Sequence, residues 1–525
     1  MPPADITPAR PQRAVHVVAM LLLLTGCNDT RDLAPPDPST PWRPTVDAGS
    51  DDQHPAAGVD AAGARSVPPS QGAPDARQFR LPGDRGLPFR DPHPEIDPAH
   101  RYSLVELVDV AQRNNKQTRI AWEQARQAAI DVGISRAAYL PTLTLSALGG
   151  YRRQTSPFPN NLNNNGYITS NAEAVFPTLT ISYLLVDFGA REAAEHAARQ
   201  TSEAANVAFT GAHQQLILSV ARSFLQLQAA EAQLGAAQTA LRNADLLLTA
   251  SQARLQHGEG TVTDADDARR GVAQARFSIA SATASRNTAR DGLLATLGLP
   301  PRTPLQVEGL EAHPVPRNMT SNLDQLMQDA LRSRPDLLAD LSRLRASEAD
   351  TARARAALYP TVSLNVKGQG DIGAIQTEGF SSRSFIAPET GVYLDFEWSF
   401  FQGGAKANQV RLAESRQAEQ RDALQQAEDQ AMREVAVAYD ELDAGLAQYD
   451  AAVALQQAAR TSFASSAEAF RHGVGTITAA DDAQTALVQA DATLARTHAQ
   501  VLASAATLAF ATGQLTSAQD LDALR

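Results

Sequence analysis

The chain has 525 residues, of which 20% are charged and only 5% aromatic, and its net charge is −12. That acidic balance excludes nucleic acid as a partner, and the single cysteine, Cys27, excludes an intrachain disulfide and a cysteine-based metal site. The histidines are scattered, none is expected to pair with a carboxylate on one helix face, and neither a Walker-type glycine loop nor a Gly-x-Ser-x-Gly elbow occurs. No enzyme, catalytic residue, metal or cofactor is therefore predicted.

Residues 1–26 read as a lipoprotein signal peptide. Arg10 and Arg13 supply positive charge, and Ala14–Leu24 forms an apolar core interrupted by His16, too short to span a bilayer as a helix. The core ends at Leu24-Thr-Gly-Cys27, which resembles a bacterial lipobox with Cys27 as the lipidation site; the plainer alternative is an ordinary secretory signal that holds a cysteine. Residues 27–98 follow as a tether, with fourteen prolines between positions 28 and 98 and too little apolar content to order themselves.

The body opens at a capping box, Ser103-Leu-Val-Glu106, with helices predicted toward Asn114 and over 116–138. A strand is predicted at Thr142–Gly150, a polar loop at 152–174, and a returning strand at Thr178–Phe188. A proline-free helix then runs over 190–257, turns at Gly258-Glu-Gly260 and returns over 263–297. After a proline-bearing connection the order repeats: strand Thr361–Lys367, loop 368–390, strand Gly391–Phe400, helix 405–472, turn Gly473-Val-Gly475, and last helix 478–512. A helix of that length reaches roughly 100 Å, more than a globular core needs and suited to a coiled-coil-like rod or tube.

The repeat is also written in the residues. Arg136-Ala-Ala-Tyr-Leu-Pro-Thr142 matches Arg355-Ala-Ala-Leu-Tyr-Pro-Thr361, and His257-Gly-Glu-Gly-Thr261 matches His472-Gly-Val-Gly-Thr476. The chain is thus a duplicated half-protein, with repeats over 99–305 and 306–515 and a tail over 516–525. In Gly391–Phe400, Val392, Leu394, Phe396 and Trp398 alternate with Tyr393, Asp395, Glu397 and Ser399. That period suits a barrel wall between lipid and water, with Asp395 and Glu397 facing the lumen. Aromatic residues Tyr151, Tyr167, Phe176, Tyr183, Phe385 and Trp398 are candidates for the interfacial girdle. Four strands cannot close a barrel, and open edges are costly in lipid, so the chain must oligomerise.

Two candidate sites stand out. Gly258, Gly260, Gly473 and Gly475 permit tight helix reversals, each followed by a threonine, Thr261 or Thr476. Asp264, Asp266, Asp267, Asp481 and Asp482 crowd the first turns of the returning helices. They serve either as caps against the helix macrodipole or as an acidic ring at a constriction.

The duplication, Asp187-Phe-Gly-Ala-Arg191 after a strand, Ala357-Leu-Tyr-Pro-Thr361 before one, and Gly473-Val-Gly-Thr-Ile-Thr478 with Asp482-Ala-Gln484 at a helical turn together resemble the TolC outer-membrane factor family. The lipobox brings the chain nearest its lipoprotein, OprM-like branch. The resemblance covers about residues 100–515 and implies a mainly α fold with a small β part. It implies a homotrimer with a 12-stranded outer-membrane β-barrel and a periplasmic α-barrel. It further implies a periplasmic adaptor at the helical tips, an RND-type or ABC-type inner-membrane pump, and passive conduction of small molecules. The family's gate aspartates fall on Asp482 and, by the repeat, Asp267, although Asp264-Ala-Asp266 departs from the apolar residues usual there. A duct for protein or peptide secretion is the alternative within the family. A lipid-anchored coiled coil without a pore is the alternative outside it.

Overall fold

The computed structural model describes residues 96–157, 166–309, 314–319 and 322–517, all within one unit that spans Pro92–Arg525. The chain is mainly helical with a small β part. In order, it forms β1 (Arg101–Tyr102), α1 (Leu104–Asn114), α2 (Lys116–Ala137), β2 (Thr142–Pro157), β3 (Tyr167–Val186), α3 (Ala190–Gln256) and α4 (Val262–Leu297). Then come β4 (Gln306–Val307), α5 (Leu323–Ser333), α6 (Pro335–Ala356), β5 (Thr361–Thr377), β6 (Arg383–Glu397), α7 (Ala405–Arg471) and α8 (Ile477–Ala511). The second half repeats the first, element by element.

The helices begin and end where local chemistry requires. Ser103 caps α1 through a capping box with Glu106, and Asn115 and Asn322 cap α2 and α5. Gly298 ends α4 at φ 70° and Gly513 follows α8 at φ 72°, so both halves leave their last helix through a left-handed glycine. A Cβ on either glycine would press on the α1–α2 or α5–α6 junction, within 2.9 Å of Asn114 O or Ser333 O. Each half thus closes on itself at the same place.

α3 and α7 have 67 residues each, roughly 100 Å of helix. α3 packs against α2 and α6 near the sheet and against α4 and α8 farther away, while α7 packs against α6, α5 and α8. Buried positions on α8 are largely alanine, including Ala480, Ala490, Ala505 and Ala509. Small side chains let the long helices approach closely: a Cβ on Gly445 of α7 would lie 3.3 Å from Val501 of α8. The bulky core sits where α1 and α5 lie against this wall. One cluster gathers Leu107, Val108, Phe224, Leu293, Leu297 and Leu515, and another gathers Val435, Leu442, Val501 and Leu508. Among the described residues no helix is long and apolar enough to cross a membrane.

β1 pairs with β4 in a separate parallel two-stranded sheet, and the four long strands form an antiparallel sheet in the order β2-β3-β5-β6. They are longer than the sequence pattern predicts. Most of the predicted loops at 152–174 and 368–390 is strand, because Tyr151–Pro157 pairs with Tyr167–Glu173, and Gln369–Ile375 pairs with Arg383–Glu389. Small and polar residues hide the alternation there, and pairing supplies the order that side-chain pattern does not. β6 also begins earlier than predicted and ends at Glu397, leaving Trp398 and Phe400 beyond it.

Candidate functional site

The sheet register sorts the strands into two faces. Residues directly opposite each other in antiparallel strands share a face. One row reads Leu143–Ile181–Val366–Val392, and the next row on that face begins Leu145–Leu179. The opposite face reads Thr142–Ser182–Asn365–Tyr393, then Thr144–Thr180–Lys367–Gly391. Asp395 lies across from Ser363, and Glu397 across from Thr361, on this polar face. On β3 the polar-face residues Ala174, Phe176, Thr178 and Thr180 are less exposed than Val175 and Leu179 behind them, so the sheet curls toward its polar side. The apolar side is bare: Leu145, Ile386, Val392 and Leu394 are among the most exposed large apolar groups.

Aromatic residues collect at the end of the sheet that joins the helices. Tyr139, Phe188, Tyr359, Trp398, Phe400 and Phe401 are all exposed there, Phe400 at 84%. Phe188 stacks on Tyr359 at 5.2 Å. Of the girdle candidates, Trp398 belongs to this belt. Phe176 and Phe385 do not suit a girdle, because the register puts them on the polar face, with Leu148 opposite Phe176 and Gly373 opposite Phe385.

The first sheet-to-helix junction is knotted by Arg191. Asp187 accepts from the Arg191 backbone N–H at 2.8 Å and from its Nε at 3.0 Å. Arg191 also donates to Leu184 O at 2.8 Å and Leu185 O at 3.3 Å, beside the sheet's one register shift. Its guanidinium lies over the Tyr139 ring. Phe188 takes φ 52° in this knot, a left-handed conformation that a non-glycine residue adopts only when its surroundings hold it.

At the far end, both helix pairs reverse in the same way. Gly258 and Gly473 take φ 75° and 78°. Backbone N–H groups of Glu259 and Gly260 donate to Arg254 O, and those of Val474 and Gly475 donate to Ala469 O. A Cβ on Gly260 or Gly475 would come within 3.2 or 3.0 Å of the preceding helix's backbone, so these two positions need glycine for space rather than for φ. Thr261 caps α4 in a capping box with Asp264, and Thr476 caps α8 by accepting from Ala479 N–H at 3.2 Å. Val474 stands 83% exposed at the second tip.

The five aspartates have different surroundings. Asp264 closes the capping box, and its carboxyl is held below the usual carboxylate range, first by the Thr261 backbone N–H and then by the Thr261 hydroxyl. Asp266 and Asp267 face Arg269 and Arg270 one turn along α4. Asp481 reaches Arg270 of the other hairpin at 3.3 Å. Asp482 is exposed and forms no ion pair among the described residues.

Sequence reasoning missed the arginines that meet these groups. Arg254 Nη1 donates to Phe470 O at 2.9 Å, and its guanidinium lies 5.0 Å over the Phe470 ring, so the first tip grips the end of α7. Its partner lies more than two hundred residues away, and no local pattern announces it. The expectation that no histidine pairs with a carboxylate on one helix face is corrected: His472 Nε2 lies 2.8 Å from Glu468 Oε1, one turn earlier on α7. Cys27 lies outside the described residues.

The family model described as "Outer membrane efflux protein" matches residues 107–299 and 326–514, one stretch in each half. Protein CyaE of Bordetella pertussis is 28% identical over 366 residues, covering 69% of this chain and 73% of that protein. Cation efflux system protein CusC of Escherichia coli K12 is 26% identical over 337 residues, covering 63% and 68%. The crystal structure of the open state of the Neisseria gonorrhoeae MtrE outer membrane channel superposes with a TM-score of 0.62 at 23% identity. That match covers 78% of this chain and 89% of that one, a likeness of fold. With both halves matched, the chain belongs to the outer membrane efflux protein family.

Proposed function

We propose that this chain is the outer-membrane channel of a tripartite efflux system, closed as a homotrimer, through which small molecules pass without chemical change. The observation that carries the closure is the sheet: four strands, one apolar face, one polar face, and β2 and β6 left at the edges. In lipid each unpaired backbone group costs several kcal/mol, so two open edges of fifteen or more residues demand partners. Three copies joined β6 to β2 make a twelve-stranded barrel with its polar face inward, which places Asp395 and Glu397 in the lumen. The helices follow the same seam. α2 and α7 sit at the two ends of the wall, and α2 leaves Ile120, Ile130 and Ile134 exposed for the next protomer.

The aromatic belt then marks the inner membrane–water interface, and α3, α4, α7 and α8 extend from it into the periplasm. Residues 1–26 act as the signal, Cys27 carries the lipid, and 27–98 tether it to the two repeats. The tips at Gly258–Thr261 and Gly473–Thr476 receive the periplasmic adaptor, behind which stands an RND-type or ABC-type pump. Asp482, which forms no ion pair among the described residues, and Asp267, only loosely paired with Arg270 at 3.6 Å, supply the acidic gate. Asp264 is held by its capping box, Asp266 by Arg269 and Asp481 by Arg270.

Charging the apolar face tests the reading. A Leu394→Asp, Phe396→Lys double variant puts two charges on the lipid-facing side; beside the aromatic belt each costs less than the about 2–4 kcal/mol of a cation at the midplane, and the cost recurs in every protomer. Outer-membrane fractions are expected to lose the assembled protein. Normal assembly of this variant would remove the barrel.

A further inference from the structure

The polar face is interrupted at one level. Thr, Ser, Asn, Lys and Gln, with Tyr393, Gly391 and Glu389 on β6, line it from Thr142 to Gln369, but the next two rows carry Leu148, Phe176 and Phe385. Asp371 lies between the two phenylalanines. The β3–β5 ladder has a gap at Phe176 and Pro177, but the register is the same on both sides of it, Val175↔Ile372 and Thr178↔Gln369, and carried through the gap it sets Phe176 opposite Asp371. Pro177 has no N–H to offer the ladder at that point. On the other side Asp371 pairs with Ala387, and Phe385 is its diagonal neighbour across from Gly373. Direct and diagonal cross-strand neighbours lie within side-chain reach.

The carboxylate is also aimed. Thr178 Oγ1 donates to Gln369 Oε1, and Gln369 Nε2 donates to Asp371 Oδ1 at 2.6 Å. Space is kept open around it by Ala387 and Gly373. A Cβ at Gly373 would collide with Glu173 O and the Ala174 side chain, so that position accepts only glycine. Phe176, Phe385 and Asp371 are all half-buried rather than free in solvent. Aromatic rings within reach on both sides of a carboxylate can attract an apolar cation, through the ring quadrupoles and by direct charge.

We propose that Phe176, Asp371 and Phe385 form a binding subsite in the channel wall for aromatic or alkylated organic cations. The inference rests on the closed-barrel reading, which places this face in the lumen. The site is shallow and open, so it binds passing cargo reversibly and without reaction.

Tetraphenylphosphonium is the probe. Its binding to the full-length protein in lipid nanodiscs is measured by equilibrium dialysis against empty nanodiscs, beside tetramethylammonium as the small-cation comparison. Tetraphenylphosphonium is expected to bind at least tenfold more tightly than tetramethylammonium. Asp371→Asn and Phe385→Ser are each expected to weaken its binding at least tenfold, and Phe385→Tyr, which keeps the ring, is expected to retain it. Native mass is taken on the same samples. Equal binding by the wild type, Asp371→Asn and Phe385→Ser trimers would overturn the subsite while leaving the channel reading intact. Particles that are not trimers would instead overturn the closed barrel, and the subsite with it.

Discussion

The two halves of the chain share a fold and differ in how they fasten it. Both place a left-handed glycine at the tip and another after the last helix, and both cap the returning helix with threonine. The fastenings diverge. The first half knots its sheet-to-helix junction with Asp187 and Arg191; the corresponding Gln402 and Lys406 form no such pair, and Trp398 Nε1 donating to Leu358 O is the tie there. The second half uses charge where the first uses an amide. Asn115 donates to Thr296 O, while Arg334, 7% exposed, donates to Ala511 O and pairs with Asp336 and Glu434 at 2.7 Å each. Near the tips Arg254 and Arg270 reach from the first half to the second, and Gln484 Nε2 donates back to Ala240 O at 2.9 Å. Duplicated backbone geometry thus tolerates little change, while the side chains over it have specialised.

Breaking the fastenings one half at a time measures that specialisation. The largest effect is expected at Arg334→Ala, which removes a buried guanidinium with its bonds to Ala511 O, Asp336 and Glu434, at about 3 kcal/mol, the two carboxylates being half-exposed and free to take up water. Asn115→Ala at the matching place is expected to cost about 1 kcal/mol. Denaturant midpoints of the detergent-solubilised protein compare the two, and equal losses would dissolve the contrast.

The junctions come next. Arg191→Ala strands Asp187, which is 8% exposed, and is expected to cost about 2–3 kcal/mol. Lys406→Ala, with no such partner, is expected to stay within about 0.5 kcal/mol. Thermal unfolding of both variants reads the difference.

At the tips the contrast depends on pH. Thr261 and Asp264 form a reciprocal box, whereas the second tip has Ala479 in the equivalent place. The Asp264 carboxyl is held low by the Thr261 N–H, so its contribution is complete above the ordinary aspartate range and is lost as pH falls through its lowered value. Amide exchange at the first tip, compared between mildly acidic and strongly acidic buffer, is expected to lose protection that the second tip keeps. Equal loss at both tips would mean that the box adds nothing.

A small effect is also expected at Arg270→Ala. Its pairs with Asp267 and Asp481 are largely exposed, and such pairs contribute under about 1 kcal/mol. A global destabilisation well above that would show the inter-hairpin pair to be structural after all.

Much of this fold was legible in the sequence. Proline-free stretches gave the long helices within a residue or two, and the paired Gly-x-Gly-Thr turns located both tips. Strand length was not legible. Around Gly150, Ala172 and Ala174 the side chains are too small to show alternation, and the strands persist there through pairing, β2 with β3 and β3 with β5. Phe176 and Phe385 look like girdle aromatics until the register assigns them a face. The acidic cluster was visible, and Arg269 and Arg270 lie at local i,i+3 spacing from it, but the Arg270–Asp481 pair spans the two hairpins and has no local signal.

The central claim is that the chain closes its sheet only with two further copies. The direct measurement is the native mass of protein extracted from outer membranes in mild detergent, by light scattering with the detergent contribution subtracted. Three protomers are the predicted result, giving twelve strands without an edge. A single protomer, its two edges open, would contradict the closed barrel and the channel built on it.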